Sequence, residues 1–222
     1  NRGECAHPCR WKYYLMEEKR PGEYIPVFED EKGTYFLHSK DLCMIEHIPE
    51  LIESGINSFK IEGRMKSIYY VATIVNAYRR AIDTYLNDKE SYRYNPQWIA
   101  EIQKASHREF STGFYFDKPD HKGQVYETSS YVRDYVFLGL IKDYEDATGI
   151  ATVEQRNKMV VGDEIEIIGP NKRMFKQKIE RMWNEEGLEI DSAPHPQQIV
   201  KMKMEHKVEK YDIIRRERKE DE

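Results

Sequence analysis

The chain has 222 residues, of which 34% are charged and 39% hydrophobic, and its formal net charge is -5. This length fits one large domain or two smaller ones, and the charge excludes the strongly basic surface of a general nucleic-acid binder, so any RNA contact must be local. No apolar run approaches the roughly 20 residues that span a bilayer, and no signal-peptide pattern opens the chain, so we expect a cytoplasmic protein.

The first half of the chain shows two successive strand-helix units. The run from Thr34 to His38 predicts a strand, and apolar residues at helical spacing predict a helix over 43–54. A second strand is predicted over 56–62 and a second, longer helix from Ser67. Such units indicate a parallel α/β arrangement, and two of them cannot close a barrel. We therefore expect the rest of that domain upstream of a truncated start.

A third, short helix is predicted to begin near Pro96 and to run to Ala105, and it is followed by a glycine-containing, aromatic linker over 111–123. We place the domain boundary near Lys122. The predicted domains are then residues 1–122 and residues 123–222.

The second half changes to short strands separated by turns, which predicts a small antiparallel β-barrel. The tail from Arg215 mixes both charge signs, so it is predicted to be a solvated, frayed end. The predicted strands cover residues 131–141, 149–154, 164–168, 174–183, 188–193 and 206–214.

Three segments resemble the signature regions of the collagenase-like peptidase family U32: residues 1–11, 39–43 and 58–67 followed by two tyrosines. The later residues resemble that family's C-terminal β-barrel extension. The resemblance implies an α/β part followed by an all-β part: the last strand-helix units of a TIM-type barrel and then a small antiparallel barrel.

The chain contains three cysteines, Cys5, Cys9 and Cys43, an odd number that rules out a complete disulfide framework within it. Thiolates suit Fe–S clusters or zinc, but a cluster normally needs four ligands. In the oxygen-independent hydroxylase branch of the U32 family, cysteines resembling Cys5 and Cys43 help to hold a [4Fe-4S] cluster, with the other ligands upstream. Cys9 is either a substitute for Cys5 or a neighbour, and the alternative for all three is an ordinary reduced thiol.

A group of charged side chains ends the second predicted strand, where barrel enzymes gather catalytic residues. Lys60 and Glu62 share one strand face, and with Arg64 they are the candidate catalytic residues. Lys66 and Arg10 are candidates for binding an anionic co-substrate such as prephenate, since cations of this kind hold carboxylate or phosphate. The alternatives are a structural Lys60–Glu62 ion pair and ordinary surface cations.

One clearly basic stretch, residues 171–183, lies in the β-domain and interleaves cations with Phe175 and Trp183. Such a pattern suits an RNA backbone and splayed bases, although a strand with a solvated lysine face gives the same pattern. The candidate RNA-binding residues are Lys172, Arg173, Lys176 and Lys178.

Three functions follow from these patterns. The resemblance favours oxygen-independent hydroxylation of a tRNA uridine, with an Fe–S cluster and a prephenate-like co-substrate in the whole protein and an inactive fragment here. A metal-dependent collagenase-like protease acting on protein is the second, although the chain contains no Gly-x-Ser-x-Gly or His-Glu-x-x-His motif. The third is a non-catalytic RNA- or protein-binding module.

Overall fold

The computed structural model describes Trp11, residues 13–16, Gly22, and residues 25–26, 39–118, 131–170 and 174–219. The chain divides into two compact units, and each unit is assembled from three separate segments of the sequence. The first unit consists of Asn1–Ser58, Thr84–Tyr94 and Ser106–Val132. The second unit consists of Phe59–Asp83, Asn95–Ala105 and Arg133–Glu222.

The described residues form three α-helices and fourteen strands. The helices are α1 Ile48–Glu53, α2 Ile68–Asn87 and α3 Gln97–Gln103, and a 3-10 turn, Ile45–His47, precedes α1. The strands are β1 Tyr14–Leu15, β2 Ile25–Pro26, β3 Asp41–Leu42, β4 Phe110–Ser111, β5 Tyr135–Glu145, β6 Ile150–Gln155, β7 Met159–Val160, β8 Glu164–Ile168, β9 Phe175–Lys178, β10 Met182–Trp183, β11 Glu189–Ile190, β12 Ser192–Ala193, β13 Ile199–Lys203 and β14 Ile213–Glu217.

All three predicted helices are confirmed. The first is shorter than predicted because it begins as a 3-10 turn, and its end is fixed by Gly55, which has a φ of +79° that favours glycine. Helix α2 begins one residue after Ser67, and α3 follows Pro96 directly. Apolar residues at helical spacing therefore located these elements correctly, since their buried faces follow that spacing.

The first unit contains a parallel pair of short strands. Asp41 of β3 lies opposite Phe110 of β4, and Leu42 lies opposite Ser111. The N–H of Cys43 donates to the carbonyl of Ser111 at 2.9 Å, which extends the pairing by one residue. The carboxyl ends of both strands therefore meet at one edge.

The predicted strand over 56–62 is wrong. The segment from Ile56 to Glu62 runs as exposed, irregular chain, with Phe59 36% and Ile61 39% exposed. A strand needs a neighbouring strand for its N–H and C=O groups, and none of the described strands pairs with this segment. The predicted strand from Thr34 to His38 lies outside the described residues.

An eight-stranded antiparallel sheet dominates the second unit, in the order β11-β10-β13-β6-β5-β14-β8-β9. One core cluster receives side chains from both halves of this sheet, including Met182 of β10, Val153 of β6, Ile214 of β14 and Ile165 of β8. Strands so far apart in order can share one core only if the sheet curls around it. The sheet is therefore a curled half-barrel.

The Gln177 side chain links the two ends of the curled sheet. Its Nε2 donates to the Lys203 carbonyl at 2.9 Å, and its Oε1 accepts from the N–H of Glu205 at 3.0 Å. Gln177 lies on the edge strand β9, whereas Lys203 ends β13 near the opposite edge. The buried Gln177 amide thereby provides hydrogen-bond partners for two backbone groups at the opening between the two edges of the curled sheet.

The middle strands β5, β8 and β14 are buried on both faces. A second cluster on the opposite face contains Tyr69 of α2 together with Leu140, Ile168 and Ile213. Because both faces of these strands are covered, consecutive residues are buried, such as Leu140 and Ile141 of β5 and Ile213 and Ile214 of β14. Strand β8 was predicted with its observed bounds.

Two strand predictions near the end of the chain need correction. Strand β13, Ile199–Lys203, was not predicted, because two lysines interrupt its apolar residues. The predicted strand over 206–214 is mostly a turn, in which Tyr211 has a φ of +75°, and β14 begins at Ile213.

The domain boundary that the sequence places near Lys122 stays a prediction.

Gly139 on β5 allows close packing in the main core. A Cβ at this position would lie 2.5 Å from Cε of Met159 and 2.7 Å from Cγ1 of Val153. We expect Gly139→Ala to lower the free energy of unfolding by about 1–3 kcal/mol through overpacking, measured by urea denaturation. Thr152→Ala, on the half-exposed face of β6, is the matched control, and an equal decrease in both variants would contradict this packing.

Candidate functional site

A buried ion-pair cluster in the second unit is centred on Arg215, whose side chain is fully buried. Its Nε donates to Oε2 of Glu166 at 2.9 Å, and its Nη2 donates to Oε2 of Glu101 at 2.7 Å. Lys104 reaches the same two carboxylates, at 2.8 Å from Glu101 and 3.1 Å from Glu166. The cluster therefore joins β14, β8 and the end of α3.

Aromatic rings surround these charges. The Arg215 guanidinium lies 5.3 Å from the ring centre of Tyr135, and the Lys104 ammonium lies 5.0 Å from it. The Tyr69 hydroxyl donates to the Lys104 carbonyl at 2.8 Å. Helix α2 thereby contacts the same cluster as α3, and the cation–π contacts add to the ion pairs.

The two carboxylates of the cluster stay ionised at neutral pH. Burial alone would raise the pKa of Glu166, but Arg215, Lys176 and Lys104 outweigh it, and the pKa is lowered. Glu101 has a lowered pKa for a similar reason, through Arg215 and Lys104. Burial raises the pKa of Tyr69 to about 12. None of these groups is set to exchange a proton near pH 7, so the cluster holds helices to the sheet rather than performing acid-base chemistry.

The sequence prediction for this part of the chain was wrong. The tail from Arg215 was expected to be a solvated end, whereas Arg215 and Arg216 are both buried and lie in β14. A possible signal was the position of the two arginines directly after Ile213 and Ile214, since a charge that continues a buried strand must find a partner.

Cys43 lies at the carboxyl edge of the parallel pair in the first unit, where β3 ends and the 3-10 turn approaches. Its thiol is half-buried and forms no disulfide. Within the described ranges, no group of three or more His, Cys, Asp or Glu side chains could hold a metal ion. Cys5, Cys9 and Arg10 lie outside the described residues.

The candidate catalytic residues lie in the irregular segment of the second unit. Lys60, Glu62 and Arg64 are all exposed, and the N–H of Arg64 donates to Oε1 of Glu62 at 3.0 Å. Lys66 lies 5.0 Å from the ring centre of Tyr70. The structure brings these charges together along a turn, and their catalytic and co-substrate roles stay predictions.

The basic stretch of the β-domain is only partly described, since Lys172 and Arg173 lie outside the described residues. Lys176 is 3.1 Å from Oε1 of Glu166, so a carboxylate already neutralises it. Lys178 is exposed at the end of β9. The RNA-binding role of all four residues stays a prediction.

Family comparisons identify the two parts of the chain. The model of peptidase family U32 matches residues 1–125. The chain belongs to peptidase family U32. The model of the U32 C-terminal domain matches residues 133–215, so this U32 chain also carries the family's second domain.

Several relatives of this U32 chain have names that state a function. It is 39% identical to the tRNA hydroxylation protein P1 of Bacillus subtilis, over 97% of this chain and 51% of the relative. The tRNA hydroxylation protein P of Escherichia coli is 31% identical, over 87% of this chain and 51% of the relative. A collagenase of Porphyromonas gingivalis is 29% identical, over 82% of this chain and 43% of the relative. The chain thus spans about half the length of the curated relatives it matches.

A solved structure also matches the U32 chain. The C-terminal domain of a U32 peptidase from Geobacillus thermoleovorans is 47% identical, covers 36% of this chain and 99% of its own, and gives a TM-score of 0.36. Among the described residues, no helix is both long enough and apolar enough to cross a membrane.

The Glu166–Arg215 pair predicts how stability depends on pH. The folded pKa of Glu166 is lowered, so its stabilisation is present above the ordinary value of 4.5 and disappears as pH falls through the folded pKa. We expect Glu166→Gln to lower the free energy of unfolding at pH 7 by about 1–3 kcal/mol and to flatten the decrease of stability in acid. Urea denaturation between pH 7 and pH 3 measures both effects.

Glu189→Gln is the matched control, because it removes the exposed Arg181–Glu189 pair of the same sheet. Exposed ion pairs contribute little to stability. If Glu189→Gln changed the acid dependence as much as Glu166→Gln, the buried cluster would not be the main acid-sensitive element.

Proposed function

We propose that this chain is part of a U32 protein that hydroxylates a uridine of tRNA without molecular oxygen. The similarity to tRNA hydroxylation protein P1 carries this proposal, because it extends over 97% of the chain and therefore includes both family regions. Two further relatives that share the printed function, from Haemophilus influenzae and Escherichia coli, each match over 87% of the chain. The whole protein would act in the cytoplasm, where its tRNA substrate is.

The α/β part would complete a TIM-type barrel with the half of the protein that this chain does not span. The parallel pairing of β3 with β4 supports this, since parallel strands belong to sheets covered by helices. In such barrels the reactive groups gather at the carboxyl ends of the strands. Cys43 lies at that end of β3.

A [4Fe-4S] cluster would be held by Cys43 and Cys5, with further ligands from the rest of the protein. Cys43 suits this role, because its thiol is half-buried, is not in a disulfide and follows a strand end. When bound, the cluster would supply one-electron chemistry that protein side chains cannot. Cys9 would then be a neighbour of the cluster or a substitute for Cys5.

Lys60, Arg64 and Lys66 would bind an anionic co-substrate such as prephenate. These three cations lie within seven residues of the chain, and Lys60 and Arg64 are exposed while Lys66 is half-buried, which suits the binding of carboxylates. Glu62 accepts from the Arg64 N–H, so it would position this loop.

A second candidate function is a metal-dependent collagenase-like protease. Two relatives named collagenase, both from Porphyromonas gingivalis, favour it at 29% identity. A protein substrate would then replace tRNA. Gelatin cleavage that survives purification and depends on zinc would support this function over the first.

The metal content tests the hydroxylase proposal. We expect the full-length parent, purified without oxygen, to contain about four iron and four acid-labile sulfide ions per chain, and Cys43→Ala or Cys5→Ala to lose most of both. Cys9→Ala is the comparison and should keep the cluster if Cys9 is only a neighbour. Iron-free parent protein from such a preparation would contradict the proposal.

A further inference from the structure

The outer face of β10 and β13 carries an aromatic residue among cations. Met182 of β10 lies opposite Met202 of β13, and both point into the core. Because strand side chains alternate, their neighbours point outward, and Trp183 lies directly opposite Lys201. Lys203 follows on the same face two residues later.

Arg181 fixes the orientation of the Trp183 indole. Its guanidinium lies 5.1 Å from the ring centre of Trp183 and is held by Glu189 through two hydrogen bonds of 2.9 and 2.6 Å. The indole is only half-buried. The Arg181 guanidinium therefore covers part of the indole and fixes its orientation, while the rest of the half-buried ring stays in contact with solvent.

The end of β9 is tied to β13, because the Gln177 side chain points inward and donates to the Lys203 carbonyl at 2.9 Å. The Lys178 side chain extends toward Gly162, where a Cβ would lie 3.8 Å from its Cε, so Lys178 is not counted with this face. We call the surface of Arg181, Trp183, Lys201 and Lys203 the Trp183 platform.

The two lysines of the Trp183 platform are not neutralised within the described part of the chain, whereas Arg181 is paired with Glu189. Neither Lys201 nor Lys203 forms an ion pair with a described residue. Other cations of the same unit do have carboxylate partners, among them Lys142 with Glu154 at 3.0 Å. In a chain with a net charge of -5, two unneutralised lysines beside a half-buried indole form a local site for a polyanion.

We propose that the Trp183 platform binds single-stranded RNA, with a base stacked on Trp183 and the backbone phosphates on the lysines. Aromatic stacking and cations that track the backbone are the two parts of single-strand recognition. This inference rests on the proposed RNA substrate and places the RNA contact on β10 and β13 instead of at Lys176 of β9, which Glu166 neutralises.

Fluorescence anisotropy of the full chain with a labelled oligouridine strand tests the Trp183 platform. We expect Trp183→Ala to weaken binding about tenfold because the base can no longer stack, and Trp183→Phe to recover most of the affinity. The double variant Lys201→Gln/Lys203→Gln should reduce the slope of log affinity against log salt by about 1.4, or roughly 0.7 for each phosphate that the variant no longer neutralises.

Lys158→Gln is the matched control, because Lys158 is exposed on the turn between β6 and β7, outside the platform. It should leave the affinity nearly unchanged, and urea denaturation should show that every variant is folded. An effect of Lys158→Gln as large as that of the lysine pair would overturn the platform, since it would show general charge attraction.

The remaining outcomes separate this inference from the proposed function. Binding to oligouridine that Trp183→Ala leaves intact would overturn the platform while keeping an RNA substrate. Equal affinity for polyglutamate would overturn it by showing an unspecific anion site. A third outcome is that the platform variants lose RNA binding while the full-length parent contains no iron. That result would support the platform and count against the hydroxylase.

Discussion

The second unit depends on the pairing of one buried cation. A guanidinium out of contact with water must have carboxylate partners, and leaving it unpaired costs several kcal/mol. Arg215 finds these partners in Glu166 of the same sheet and in Glu101 of α3. Helix α3 therefore helps to stabilise the sheet. The family model of the U32 C-terminal domain begins at residue 133, so it does not include Glu101, one of the two carboxylate partners of Arg215.

This pairing explains why compact units and family regions differ. Residues 59–83 and 95–105 lie in the family region matched over 1–125, yet they belong to the unit that contains the sheet. Tyr69 and Lys104 are the contacts that bring them there, through a hydroxyl bonded to a carbonyl and an ammonium bonded to two carboxylates. A boundary drawn from composition alone could not detect such contacts.

Sequence patterns predicted the elements that depend on local spacing and missed those that depend on distant partners. The helices and β8 followed from apolar periodicity. The strand over 56–62 was wrong because a strand also needs a partner, and β13 was missed because its lysines face solvent while Val200 and Met202 fill the core. The candidate cysteines came from family resemblance, whereas the Trp183–Lys201 contact arises from strand register that the sequence does not display.

The most direct test of the account is the hydroxylation of tRNA uridine in cells that lack the parent protein, measured by mass spectrometry of digested tRNA. The wild-type parent should restore the hydroxylated nucleoside, and Cys43→Ala at equal protein level should not. Full hydroxylation by the Cys43→Ala parent would contradict a reaction that depends on a cluster held by this residue, and failure of the wild-type parent to restore the modification would contradict the proposed function itself.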